Sequence, residues 1–157
     1  MDGKKELEKK LADFDKTHEE WIAKLRVFVG RFQRLVGSTP VGRFIMANVT
    51  TRIAGWLLVR FKVLGITPGG DMIDVAYNWQ KLAVFLKIPV EVESATPDRV
   101  VLLHHECTVG FTHKDDKVCR ASMNMDKAIV KKLGGKLTVV ETIASGCSRC
   151  KNIIERP

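Results

Sequence analysis

Pro89-Val90-Glu91-Val92-Glu93, then Thr96-Pro97-Asp98, then Arg99-Val100-Val101-Leu102-Leu103-His104-His105-Glu106, is where this chain changes character. Val90 to Glu93 alternates apolar and acidic side chains with period two, as a half-buried strand does. Thr96-Pro97-Asp98 has turn chemistry, because proline presets one backbone angle and aspartate bonds nearby backbone. Val100 to Leu103 is an unbroken apolar run, suited to a buried strand. Together the segments predict an antiparallel hairpin. Downstream, Asp115 to Leu133 reads as a helix closed by Gly134-Gly135. Lys136 to Ile143 reads as a third strand. Cys150 to Glu155 reads as a fourth, turned back after Ser145-Gly146.

Upstream the spacing is helical. Leu7, Leu11, Phe14, His18, Trp21, Ile22, Leu25, Phe28, Phe32 and Leu35 recur at steps of three and four. Gly37-Ser38-Thr39-Pro40 ends or bends that helix, and Thr39 with Pro40 can start the next. Residues 41–64 also read as helix, but apolar nearly all round: Ile45, Val49, Ile53, Trp56, Leu57 and Phe61 leave little polar face. Arg52 sits mid-segment, and a central arginine costs ~3 kcal/mol or more in lipid. No transmembrane span is therefore expected, and a buried helix or an oligomer contact is favoured over a membrane-surface helix. Thr67-Pro68-Gly69-Gly70 breaks the chain, and Asp71 is placed to cap a helix running to about Lys87. The order is three helices, two strands, one helix, two strands. It predicts an α+β fold: a helical N-terminal half, then a four-stranded, mainly antiparallel sheet with one inserted helix. A length of 157 residues fits one domain, with 1–87 as its helical part and 88–157 as its α+β part.

The net charge is +8, unevenly spread. Between Glu20 and Asp71 there is no acid, against Lys24, Arg26, Arg31, Arg34, Arg43, Arg52, Arg60 and Lys62. Such a stretch attracts nucleic acid, anionic membrane or an acidic partner, or is simply a solvated face. The interleaved aromatics Trp21, Phe28, Phe32, Phe44 and Trp56 could stack or insert, although their helical spacing points to core. Residues 21–66 are thus the candidate partner surface. Met1 to Lys16 is charged, with no apolar run, so no secretory signal is expected and a cytoplasmic location is.

All four cysteines fall in the last third: Cys107, Cys119, Cys147 and Cys150. Cytoplasmic thiols stay reduced, so a shared metal site outranks disulfides. Zinc takes four thiolates in a tetrahedron with Zn–S about 2.3 Å, and a [4Fe–4S] cluster also takes four. The Cys147/Cys150 pair fits one turn, whereas the eleven residues between Cys107 and Cys119 make no standard second knuckle. Lys114, Lys117, Arg120, Arg149 and Lys151 would steady the negative charge of such a site, and would equally suit a redox dithiol at Cys147 and Cys150. On a strand, His105 and Cys107 share one face, and His104 and Glu106 the other. His105 is accordingly the candidate substitute ligand or general base. No Ser/His/Asp arrangement stands out. Gly69-Gly70 and Gly134-Gly135 lack the Lys-Ser/Thr of a phosphate loop.

Val139-Val140-Glu141-Thr142, then Ala144, Gly146 and Cys150, resembles the closing motif of the 4-vinyl reductase domain. It is similar also to that of the L-2-amino-thiazoline-4-carboxylic acid hydrolase-like family, and Glu106-Cys107 resembles the earlier cysteine of both. The likeness covers about residues 88–155. The chain departs from the pattern at Cys147, where those families usually have Asp, and at Asn152, where they usually have an aromatic. The resemblance implies a small-molecule-binding α/β fold, often a sensor or accessory domain, without transferring a reaction.

Three functions follow as expectations. The first is a cytoplasmic protein whose four cysteines hold zinc or a [4Fe–4S] cluster, serving as a ligand or redox sensor or an enzyme accessory, with the helical half as pocket or homodimer contact. The second is a hydrolase of a small cyclic amide or thiazoline-like substrate, with Cys107 or Cys150 as nucleophile and His105 as base. The third is a binder of nucleic acid or an anionic membrane surface through residues 21–66.

Overall fold

The structure, a computed structural model, describes residues 2–15, 22–86, 88–107 and 109–157, without the side chains of 22–27, 50 and 51. His18, Trp21 and Lys87, and the side chains of Ile22, Lys24, Leu25 and Arg26, lie outside that description.

Four strands form one antiparallel sheet in the order β1-β2-β4-β3: β1 (Glu91–Ala95), β2 (Arg99–His104), β3 (Lys136–Glu141) and β4 (Cys150–Glu155). The expected hairpin is β1–β2, with Val92 opposite Leu102 and Ala95 opposite Val100. β4 lies on the other side of β2, placing Ile154 opposite Val100, Asn152 opposite Leu102 and Cys150 opposite His104. Opposed residues share a face. One row across the sheet is therefore Val139, Asn152, Leu102 and Val92, and the next is Leu137, Ile154, Val100 and Ala95. Both rows turn to the helices, and Asn152 is the one polar member. On the opposite face, Lys151 pairs with Glu93 at 2.8 Å.

The first helical layer consists of α1 (Gly3–Asp15), α5 (Met72–Phe85) and α6 (Asp116–Leu133). α1 lies on α5 and β1, α5 on β2 and β4, and α6 on β3. Leu7, Ile73, Val75, Leu102, Ile129 and Ile154 belong to one continuous core built from both halves of the chain. Asp71 caps α5 as its sequence position requires, accepting from the backbone N–H of Ile73 at 2.9 Å and of Asp74 at 3.1 Å. Trp79 Nε1 donates to Asp126 Oδ1 at 2.9 Å and ties α5 to α6.

A second layer, α2 (Ile22–Gly37), α3 (Pro40–Ile45) and α4 (Thr51–Arg60), packs on α6. Residues 41–64 are not the single helix expected. Thr39 caps α3, a π-helical turn spans Met46–Thr50, and a short 3₁₀ turn follows at Val63–Gly65. Asn124 of α6 donates to the Ala47 carbonyl at 3.3 Å within the π turn. The expectation of a buried helix is also corrected. Gly55 and Val59 face α6, but Ile53, Trp56, Leu57 and Phe61 look outward, as do Phe28, Phe32 and Phe44. An all-apolar helix has two sides, and among the described residues this layer has protein on one only. No helix is long and apolar enough to cross a membrane among the described residues.

Candidate ligand cavity

Between the sheet and the helices lies a cavity of about 170 Å³. α5 contributes Trp79, Gln80 and Ala83; α6 contributes Cys119, Met123 and Asp126. The sheet contributes His104, Cys150 and Asn152, and α2 closes the space with Val29 and Gln33. Cys107, Val109 and Phe111 add the loop that follows β2. α2 meets that loop closely. A Cβ at Gly30 would run into the Val109 carbonyl, so only glycine lets the helix sit there. Arg34, one turn on, donates to the Gly110 carbonyl and approaches Asp115 to 3.8 Å, holding α2 and loop together.

Three of the four cysteines face this space, each with a local reason. Cys107 leaves the end of β2, and its Sγ accepts the Phe111 N–H at 3.2 Å. Cys150 opens β4, and its Sγ accepts the Ile143 N–H at 3.4 Å. Cys119 sits in the first turns of α6 and is buried. Burial raises the pKa of all three, and the N–H donors offset part of that for Cys107 and Cys150. Cys119 is pushed up to about 12, by burial first and then by the neighbouring Cys107 and Cys150. The three are neutral thiols at pH 7, the form least suited to nucleophilic attack.

Cys147 is placed differently. Gly146 adopts φ 95°, a left-handed turn that favours glycine, and Cys147 follows it outside the cavity lining with Sγ 3.7 Å from Ser145 Oγ. Among the described residues, no group of three or more His, Cys, Asp or Glu is arranged to hold a metal ion.

His105 is not brought to the cysteines. β2 ends at His104, so the alternation that would pair His105 with Cys107 stops one residue too early. His105 is exposed, with Nε2 2.6 Å from Glu91 Oε2. His104 takes the inward position opposite Cys150. Burial lowers its pKa, and its Nδ1 lies 3.2 Å from the Pro89 carbonyl. A neutral ring donating there leaves Nε2 as an acceptor.

The polar groups that sequence reasoning missed are Gln80, Asn152, Gln33 and Asp126. Gln80 is fully buried, yet neither its Nε2 nor its Oε1 has a hydrogen-bond partner. Asn152 Oδ1 and Gln33 Oε1 are likewise buried and unpartnered. All three amides line the cavity. Asp126, half-buried in its wall, is pushed up to about 6 by desolvation, against the Trp79 hydrogen bond that favours the charged form. One signal for these residues was available: Gln80, Asp126 and Asn152 each occupy an apolar phase of their helix or strand.

No family model, curated protein or solved structure matches this chain. The resemblance to the 4-vinyl reductase domain therefore rests on the residues quoted for it, among which Cys107 and Cys150 face the cavity and Gly146 makes the turn between β3 and β4.

Proposed function

We propose that the protein binds a compact, largely apolar small molecule in the cavity under α2, as a ligand sensor or an accessory to an enzyme. The observation that carries this reading is the set of buried amide atoms without partners. An unpaired buried polar atom costs about 1–3 kcal/mol, and native structures keep few of them. Here Gln80, Asn152 and Gln33 supply such atoms to one apolar space. A small-molecule site has this composition: mostly hydrophobic walls with a few convergent polar groups. A cavity of ~150 Å³ holds a benzene molecule, so the ligand is about one ring in size. Its edge would donate to Asn152 and Gln33 and both donate to and accept from Gln80.

The test is a fragment screen by protein NMR with neutral single-ring compounds bearing an amide, hydroxyl or ring N–H. Binding that shifts signals of the lining residues, and is lost in Ala83→Phe while the fold is kept, supports the reading. Xenon entering the cavity while no polar fragment binds would overturn it, leaving a dry void.

A second reading is favoured by one observation, the three neighbouring thiols. Cys107, Cys119 and Cys150 line one cavity without forming a metal-holding group as they stand, so zinc or a [4Fe–4S] cluster would have to draw them, and Cys147, together. Zinc, iron and sulfide measured per chain on anaerobically purified protein decide it. A stoichiometric metal lost in Cys119→Ser supports the site, and metal-free protein of full stability removes it.

A further inference from the structure

The outer helical layer carries a surface that the cavity does not explain. α2, α3 and α4 all pack inward on α6, so their other sides share the outside of the molecule. On α2 the outward residues are Phe28, Phe32 and Leu35; on α3 they are Val41, Phe44 and Ile45; on α4 they include Ile53, Trp56 and Leu57. Phe28 and Phe44 are each 66 % exposed, and Phe61, just past α4, is 67 % exposed. A contiguous face of large apolar side chains marks an interaction site, whereas scattered ones need no explanation.

A second observation sits at the edge of that face. Arg52 and Trp56 of α4, with Lys127, Lys131 and Lys132 of α6, line a groove of about 580 Å³. Among the described residues no ion pair engages these four cations. Arg31, Arg60 and Lys62 are exposed on the same segment, which contains no acid from residue 21 to residue 70. Trp56 belongs to both features, an apolar body beside a basic groove.

We propose that the outer face of α2, α3 and α4 docks on a membrane surface rich in anionic phospholipid, with its apolar side chains in the interface and the groove beside Trp56 taking lipid phosphate. Interfacial helices combine these parts: apolar and aromatic residues on one side, arginine and lysine within reach of headgroups. A second copy of the chain is the poorer occupant, because two acid-free basic faces repel. Nucleic acid would use the cations and stack on the aromatics, but Leu35, Val41, Ile45 and Ile53 would gain nothing from it. Docking does not require the cavity to bind anything, so the two readings fail separately.

The experiment uses the full chain and sedimentation with vesicles of phosphatidylcholine alone, and of phosphatidylcholine with about 30 % phosphatidylserine. Binding to the phosphatidylserine vesicles is expected, falling as salt rises, and weak binding to phosphatidylcholine. Brominated acyl chains should quench tryptophan emission, and Trp56→Phe should reduce that quenching. Phe44→Ser with Phe61→Ser, and separately Lys131→Glu with Lys132→Glu, should each weaken binding about tenfold, or ~1.4 kcal/mol. Circular dichroism checks that both variants fold, and the salt dependence of the unaltered chain stands without them. No binding to either vesicle overturns the proposal. So does a stable dimer, or a complex with duplex DNA, that leaves vesicles untouched.

Discussion

The two sides of α6 differ in what their apolar residues do. Toward the sheet, Val130, Leu133, Leu102 and Ile154 are buried in one core. Away from it, α2, α3 and α4 carry residues just as apolar, and many of those described are exposed. Hydrophobicity alone does not state burial; the number of layers does. The sheet-side elements are sandwiched, and the outer helices are the last layer.

The largest effect that would sharpen this contrast is expected at Leu102, fully buried between β1, β4 and the helices. Leu102→Ala should lose about 2–5 kcal/mol of stability by chemical denaturation, the transfer and cavity cost of a core leucine. A loss under ~1 kcal/mol would mean that this core is loosely packed.

An intermediate effect belongs to Asp126, on the inner side of the contrast. Its folded pKa of about 6 stands above the ordinary 3.8. The stability linked to it is fully present below about pH 4 and is lost as pH rises through 6. His104 acts in the opposite sense: burial lowers its pKa, so its share is present above pH 6.5 and is lost as pH falls through its lowered folded value. Asp126→Asn keeps an acceptor for Trp79 and removes only the first dependence. The stability difference between variant and parent should rise by up to about 3 kcal/mol from pH 4 to pH 7. A flat difference across that range would show that the carboxylate is solvated.

The smallest effect is expected outside. Phe44→Ser should change the stability of the isolated chain by no more than about 0.5 kcal/mol, the usual range for surface substitutions. A loss comparable with that of Leu102→Ala would mean that the outer face is covered in solution, and the contrast between the layers would disappear.

The sheet was legible because its signals are local and redundant. Val90 to Glu93 alternates, Pro97-Asp98 turns, and Val100 to Leu103 is apolar enough for a central strand. The Asp71 cap and the closing strand at Cys150–Glu155 were equally direct. Burial of residues 41–64 was not legible, since it depends on what lies beyond α6. Composition could not tell a last layer from a middle one. The candidate site was half legible. Cysteine clustering pointed to a region in which Cys107, Cys119 and Cys150 line one cavity and Cys147 does not. The choice of His105 over His104 turned on where β2 ends, and strand ends are weakly encoded. Gln80 and Asn152 were overlooked because a single polar residue in an apolar phase looks like noise until its neighbours are seen.

The π turn at Met46–Thr50 sets the direction in which the outer face points. Such a turn carries a residue more than an α-helix would. Five π-helical residues turn through about the angle of four α-helical ones, so recoiling this segment as α-helix at its present length would swing everything after it by about 100°. Gly55 would then turn away from α6, and the outward side chains of α4 would be re-aimed with it. A one-residue deletion that straightens the turn would keep the phase. The aim of the aromatic face is thus set by how five residues coil, and a matched deletion is the change it tolerates.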